Sequence, residues 1–83
     1  MCGGSGAELI YRAAALGAQA LVTGETKHNL LLEARALGIM LVDAGHYCTE
    51  HVVLEPLAAL LRAGFPALDV CISECESDPM FFA

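Results

Sequence analysis

Hydrophobic residues follow two alternating spacings along the chain, and together these predict three helix-to-strand units. Apolar side chains at helical spacing predict helices over 7–16, 27–37 and about 50–63. Short continuous apolar runs predict strands over 20–23, 39–43 and 68–73. The alternation of helices with such runs indicates an α/β fold, a two- or three-layer sandwich with a mainly parallel or mixed sheet of three to four short strands and three helices.

Glycine and proline mark the boundaries of these predicted elements. Gly17 and Gly38 follow the first two helices, where a left-handed C-terminal cap belongs. Pro56 lies inside the third helix, which therefore either kinks there or begins again with the proline in its first turn. The loop 2–6 is typical of a strand-to-helix connection with no strand before it. We therefore expect the sheet to lack its first strand or to borrow one.

The composition indicates a single domain over 1–83 and excludes several classes of protein. With 57% hydrophobic residues and a net charge of −6, the chain does not resemble a disordered protein, a nucleic-acid binder or a membrane-surface binder. No apolar run reaches the roughly 18 residues of a membrane-spanning helix, and the N-terminus does not resemble a signal peptide. Four cysteines without a CxxC pair are expected as free thiols in a cytoplasmic protein.

Ligands of open α/β sheets bind beyond the carboxyl ends of the strands, and three loops of this chain would meet at that edge. These loops span 3–6, 23–28 and 43–50. The last two carry several side chains that can bind metals or transfer protons, namely Glu25, His28, Asp43, His46 and Glu50. This edge is therefore the predicted functional site.

The most specific motif at this edge spans 43–50. His46 and Glu50 are four residues apart, a spacing that puts both on one side of a helix. An imidazole and a carboxylate placed in this way can share a divalent ion such as zinc, manganese or iron. Two ligands do not complete a site. The alternative is a helix that starts here, with Thr49 as its N-cap and Glu50 in its first turn.

The segment 24–28 also has two interpretations. Thr26 could cap the second helix, with Glu25 and His28 on the solvated rim. Alternatively, both are candidate catalytic residues. Glu25 would then support a metal ligand or act as a general base, and His28 would orient a group or transfer a proton.

The glycine-rich loop 3–6 precedes a predicted helix. Backbone amides at a helix start can cradle a phosphate, which would suit a small phosphate- or nucleotide-binding domain. The glycine spacing matches neither a P-loop nor the dinucleotide-binding fingerprint, and a tight turn accounts for the same residues.

In order, these segments resemble one known family. The sequence reads Cys-Gly-Gly-Ser-Gly at 2–6, Leu-Val-Thr-Gly-Glu-Thr-Lys-His at 21–28 and Val-Asp-Ala-Gly-His-Tyr-Cys-Thr-Glu at 42–50. It is similar here to the C-terminal part of the Nif-three-like proteins, also named type 2 homologues of GTP cyclohydrolase I. The resemblance runs from Cys2 to Met80, and Gly-His-x-x-Thr-Glu is its most specific motif.

The resemblance implies an α/β protein of two similar subdomains, often assembled into toroidal hexamers. Two adjacent divalent metal ions would lie in the cleft between the subdomains and activate a bridging water for hydrolysis. By this resemblance, His46 and Glu50 are metal ligands. The family's remaining ligands, a histidine pair and an aspartate, come from the N-terminal part and have no counterpart here, although His28 and Asp43 lie nearby and could replace them.

These comparisons lead to two expectations about function. As a C-terminal subdomain of a metal-dependent hydrolase-like protein, the chain would bind metal weakly and lack hydrolytic activity until an N-terminal subdomain is supplied. The alternative is a non-enzymatic, self-associating assembly or regulatory module, which the apolar third helix and the tail 80–82 favour. A sheet without its first strand has an exposed edge, which favours homo-oligomers.

Overall fold

The computed structural model describes residues 1–81 and shows the α/β fold that the sequence predicts. Its elements are a 3₁₀ turn (Ala7–Leu9), α1 (Ile10–Ala15), β1 (Ala20–Thr23), α2 (His28–Leu37), β2 (Met40–Asp43), α3 (His46–His51) and α4 (Leu54–Gly64). The chain divides into two compact units, Met1–Glu50 and His51–Ala83. Phe82, the last residue of the apolar tail, lies outside the described residues. None of the described helices is long and apolar enough to cross a membrane.

The sheet is parallel, and β1 has a neighbour on each side. On one side β1 pairs with β2, in a register that places Ala20 beside Met40 and Thr23 beside Asp43. On the other side Cys2 forms an isolated parallel bridge with Thr23, and the Cys2 amide donates to the carbonyl of Val22 at 2.9 Å. Cys2 thus lies beside β1, on the side where the sequence predicts that the first strand of the sheet is missing.

The core of the first unit lies between one face of the sheet and the two helices α1 and α2. Its buried members are Ala7, Ile10, Leu21, Leu30, Ala34 and Ile39. Ile10 is completely buried, which contributes about 1.5–3 kcal/mol relative to an exposed side chain. Leu41 packs against this core beside its strand partner Leu21. Because side chains alternate along a strand, the even-numbered strand residues face away from it.

Backbone geometry confirms the predicted ends of the first two helices. Gly17 and Gly38 follow α1 and α2 with φ of 76° and 71°, the left-handed conformation that glycine adopts without strain. The third predicted helix is broken, as Pro56 suggests. It ends as α3 at His51 and begins again as α4 at Leu54, so the proline lies in the first turn of α4.

The predicted strand over 68–73 is wrong for the described residues. Residues 69–73 have no regular secondary structure, and the described sheet has two strands rather than three or four. The Arg62 side chain of α4 donates from Nε and Nη2 to the carbonyl of Val70, at 3.1 and 2.9 Å. The Arg62 side chain therefore provides the hydrogen bonds to the Val70 carbonyl, where the sequence predicts hydrogen bonds to a neighbouring strand.

Candidate metal centre

Hydrogen bonds join the three loops at the carboxyl edge of the sheet, and the buried hydroxyl of Thr23 is central to them. This hydroxyl accepts from the amide of Gly6 at 2.9 Å and donates to the carbonyl of Gly4 at 3.0 Å. The same carbonyl accepts from the amide of Gly24 at 2.8 Å. The Gly4 amide donates to the hydroxyl of Thr49 at 3.1 Å. One glycine thereby connects the first loop to the second and to α3.

The sequence placed Thr23 at the end of a buried strand and at the start of the site loop 23–28, but it indicated no role for the hydroxyl. Its side chain is 0% exposed, yet the hydroxyl has both a donor and an acceptor. A buried hydroxyl must be satisfied in this way, because an unpaired one costs free energy. One feature of the sequence could have indicated this role: Thr23 is a hydroxyl residue at the end of an apolar strand, directly before a glycine.

Helix α3 brings His46 and Glu50 together. The helix begins at His46, so the two residues lie on consecutive turns, and Nε2 of the ring is 3.2 Å from Oε2 of the carboxylate. The alternative interpretation of Thr49 as an N-cap is wrong. Thr49 lies inside α3, and its hydroxyl donates back to the carbonyl of Gly45 at 2.9 Å.

The other ring nitrogen of His46 is held by Glu25. Nδ1 of His46 lies 2.8 Å from Oε2 of Glu25, whose loop follows β1. The hydrogen bond from Glu25, followed by the negative charge of Glu50, raises the pKa of His46 above its usual 6.5. The ring therefore has a carboxylate at each nitrogen.

The glycine loop packs directly against this cluster. Gly4 has a φ of 62°, and a Cβ atom at this position would collide with Oε1 of Glu50. It would also lie 3.6 Å from Nε2 of His46. Glycine is thus favoured at this position for its backbone conformation, and the absence of a side chain leaves room for the carboxylate of Glu50.

Asp43, a candidate replacement ligand in the sequence, is occupied by backbone amides. Its Oδ2 accepts from the amide of Thr26 and its Oδ1 from the amide of Gly45, both at 3.1 Å. Two bonds of this kind give the carboxylate a structural role, joining the second loop to the start of α3. Asp43 therefore orders the turn before His46.

The structure also places Thr26 and His28, and only the predicted cap at Thr26 is wrong. Thr26 does not cap α2, because the N-cap residue is Lys27 and it makes no side-chain capping bond. His28 is the exposed first residue of α2. Within residues 1–81, no hydrogen bond joins His28 to Glu25 or His46.

The structure favours the tight-turn interpretation of the glycine loop. The amides of Gly4 and Gly6 donate to the hydroxyls of Thr49 and Thr23. These two amides are therefore used inside the fold, where a phosphate cradle would need them pointing at a ligand.

The cluster supplies two converging donors of the kind that divalent metals prefer. Nε2 of His46 and the carboxylate of Glu50 face each other, and Glu25 fixes the ring from behind. Among residues 1–81, no group of three or more histidine, cysteine, aspartate or glutamate side chains is arranged to hold a metal ion. The described residues thus supply two converging donors, fewer than the three or more protein ligands of a typical metal site.

Comparison with known proteins identifies the family. The sequence profile of Duf34/NIF3 (NGG1p interacting factor 3) matches residues 1–79. The chain belongs to the Duf34/NIF3 family. It is 42% identical over 81 residues to the GTP cyclohydrolase 1 type 2 homolog of Staphylococcus aureus (strain COL), and 43% identical over 61 residues to that of Nostoc sp. (strain PCC 7120). The sequence resemblance is thereby confirmed.

Solved structures of NIF3-type proteins share the fold of this chain. The crystal structure of Staphylococcus aureus protein SA1388 matches with a TM-score of 0.83 at 38% identity, over 98% of this chain and 27% of that chain. A Bacillus cereus protein related to NIF3 matches with a TM-score of 0.74 at 28% identity, over 98% of this chain and 23% of that chain.

This NIF3-family chain spans about a quarter of the length of its relatives. The alignments cover 93% and 74% of this chain but only 22% and 23% of the two GTP cyclohydrolase 1 type 2 homologs. About three quarters of each relative therefore has no counterpart in the present chain.

Proposed function

We propose that this NIF3-family chain contributes two protein ligands, His46 and Glu50, to the divalent-metal site of a metal-dependent hydrolase. The observation that supports this is the position of one imidazole between two carboxylates. Nδ1 of His46 is 2.8 Å from Glu25 and Nε2 is 3.2 Å from Glu50. Metal-binding histidines commonly donate their second ring N–H to a carboxylate, and the position of Nδ1 beside Glu25 matches this arrangement.

The pairing with Glu25 determines which ring nitrogen can bind an ion. When Nδ1–H donates to the carboxylate of Glu25, the neutral ring keeps its lone pair on Nε2, the atom that faces Glu50. Nε2 must lose its proton before it binds a cation, because protons and metals compete for that lone pair. We assign Glu25 to positioning His46, since its carboxylate is already engaged by the ring.

The glycine loop leaves room for the second ligand. The absence of a side chain at Gly4 makes space for Oε1 of Glu50, while Oε2 faces His46. The carboxylate can therefore lie with one oxygen directed at Nε2. Thr49 holds the loop in place through the Gly4 amide.

A pair of zinc, manganese or iron ions in the complete site would activate a water molecule and stabilise the negative charge that develops during hydrolysis. In this proposal His46 and Glu50 bind the ion, and Glu25 orients the ring of His46. The remaining ligands come from the part of the protein that this chain does not span. Alone, the chain binds cations weakly and does not hydrolyse substrate.

The test is a titration with manganese(II), which prefers oxygen and nitrogen ligands to cysteine thiols. Paramagnetic broadening of NMR signals is expected to centre on His46 and Glu50. His46→Ala is expected to weaken binding by at least about tenfold, whereas the matched control His28→Ala leaves it unchanged. Broadening centred elsewhere, or equal binding by His46→Ala and the unmodified chain, would overturn the proposal.

A further inference from the structure

Asp43 lies where two loops of the candidate metal centre leave the sheet. It is the last residue of β2, and the parallel register places it beside Thr23, the last residue of β1. The loop after β1 carries Glu25, and the loop after β2 leads into His46 at the start of α3. Strand pairing therefore brings the two loops close together, but it does not by itself set the distance between their side chains.

The carboxylate of Asp43 binds the backbone next to both members of the Glu25–His46 pair. Its Oδ2 accepts from the amide of Thr26, the residue after Glu25, at 3.1 Å. Its Oδ1 accepts from the amide of Gly45, the residue before His46, at 3.1 Å. One side chain thus bridges the two segments whose own side chains meet at 2.8 Å, between Nδ1 of His46 and Oε2 of Glu25.

The segment that carries Glu25 is held on its other side as well. The amide of Gly24 donates to the carbonyl of Gly4 at 2.8 Å, and the amide of Gly4 donates to the hydroxyl of Thr49 on α3 at 3.1 Å. Glu25 is therefore a single residue between two anchored amides, those of Gly24 and Thr26. An anchored backbone restricts the positions that its exposed carboxylate can reach, so less conformational entropy is lost when it pairs with the ring.

We propose that Asp43 is a positioning residue of the candidate metal centre, which keeps the Glu25 carboxylate at Nδ1 of His46. It acts through the two backbone amides and not as a ligand, since both of its oxygens are already engaged. With Glu25 in place, the proton of the neutral ring lies on Nδ1, and Nε2 is open to an ion. This inference rests on the proposed function, because it concerns the nitrogen that would bind the ion.

Loss of the Asp43 bridge should move the ring proton. If Glu25 leaves Nδ1, the carboxylate of Glu50, 3.2 Å from Nε2, remains as the acceptor beside the ring. The proton then shifts toward Nε2 and blocks the lone pair that an ion needs. The groups that raise the pKa of His46 are Glu25 and Glu50, and the charge of Asp43 is not among them. A shift of the ring proton on replacement of Asp43 therefore reports the position of Glu25.

The test is the tautomer of His46 in the metal-free chain, read from long-range proton–nitrogen NMR correlations at a pH at which the ring is neutral. We expect the unmodified chain to hold the proton mainly on Nδ1. Asp43→Asn puts an NH₂ group where one of the two amides needs an acceptor, and it should shift the proton toward Nε2. The matched control Asp69→Asn removes an exposed carboxylate from a segment without regular structure and should leave the tautomer unchanged.

Manganese(II) affinity provides a second readout. Asp43→Asn should weaken binding about tenfold, the lower end of the loss expected when a group that orients a metal-binding histidine is removed. Ile10→Val removes one methyl group from the buried core, and it should lower stability without changing the tautomer or the affinity. Equal tautomer shifts in Asp43→Asn and Ile10→Val would overturn the inference, because general destabilisation would then account for both.

The remaining outcomes separate this inference from the proposed function. An unchanged tautomer in Asp43→Asn would overturn the positioning role and leave the proposed ligands intact. If Asp43→Asn does not fold, scalar couplings across the two hydrogen bonds, from the Thr26 and Gly45 amides to the Asp43 carboxylate carbon, test the bridge in the unmodified chain. Their presence would support the inference and their absence would overturn it. Equal manganese binding by His46→Ala and the unmodified chain would overturn the proposed function, and with it this assignment.

Discussion

Nδ1 of His46 lies 2.8 Å from Oε2 of Glu25, so a loop after β1 orients the first residue of α3. If this hydrogen bond is the main reason for the raised pKa of His46, replacing the carboxylate should lower that pKa. We expect Glu25→Gln to move the His46 pKa back toward 6.5 in the metal-free chain. NMR titration of the imidazole signals measures the change. Glu8→Gln, at an exposed position of the 3₁₀ turn, is the control and should have no effect.

The raised pKa of His46 also predicts how stability depends on pH. The folded state holds the proton more tightly than the unfolded state, whose pKa is near 6.5. The resulting stabilisation is complete below pH 6.5 and is lost as the pH rises through the folded-state pKa. Urea unfolding with a chelator present should therefore show a larger deficit for His46→Gln at about pH 5.5 than at about pH 8.5. An equal deficit at both values would contradict this prediction.

Replacement of Gly4 should reveal how closely the first loop approaches Glu50. Gly4→Ala forces an L-residue to a φ of 62° and places Cβ against Oε1 of Glu50. Gly17→Ala is a matched control, because its φ is 76° but nothing lies within 4 Å of the added atom. The control should lose about 1–2 kcal/mol of unfolding free energy from backbone strain alone. Gly4→Ala should lose a similar amount, because the exposed Glu50 carboxylate can rotate away, but it should in addition weaken manganese binding, as chemical denaturation and titration would show.

The buried hydroxyl of Thr23 should contribute measurably to stability. Thr23→Val keeps the shape of the side chain but removes its bonds to Gly6 and Gly4. The Gly4 carbonyl keeps the Gly24 amide, and the Gly6 amide keeps a 3.2 Å bond to the Gly4 carbonyl. The loss is therefore that of two hydrogen bonds, and we expect a decrease of about 1–3 kcal/mol in the free energy of unfolding. Thr26→Val provides the comparison, since that hydroxyl makes only a 3.4 Å contact with the carbonyl of Lys27. Equal losses in the two variants would contradict the assigned role.

The sequence was sufficient for elements whose stability is local. Apolar spacing located α1, α2 and both strands, and the glycines Gly17 and Gly38 marked the helix ends because only a left-handed residue continues the chain there. The four-residue spacing of His46 and Glu50 correctly predicted one shared helix side. Each of these features is marked by a pattern of residues that are close together in the sequence, so the sequence alone can reveal it.

Features that depend on distant residues were harder to predict. The apolar run 68–73 has the composition of a strand, but a strand forms only where a partner edge is available, and composition does not report the partner. Likewise, Thr49 suits an N-cap in isolation, yet the carboxylate of Asp43 accepts the Gly45 amide and α3 begins earlier. The contact between Glu25 and His46 joins residues 21 positions apart. Spacing alone suggested only that their loops share an edge.

The position of His46 and Glu50 on consecutive turns of α3 has a consequence for how the complete site would assemble. In the proposed site, two donors on one short, folded segment would act as a chelating pair: once an ion is bound by the first, the second is already at a high effective concentration. Little conformational entropy would then be lost when these two residues close on the ion. A further ligand group would therefore meet a pair of donors that is already in place.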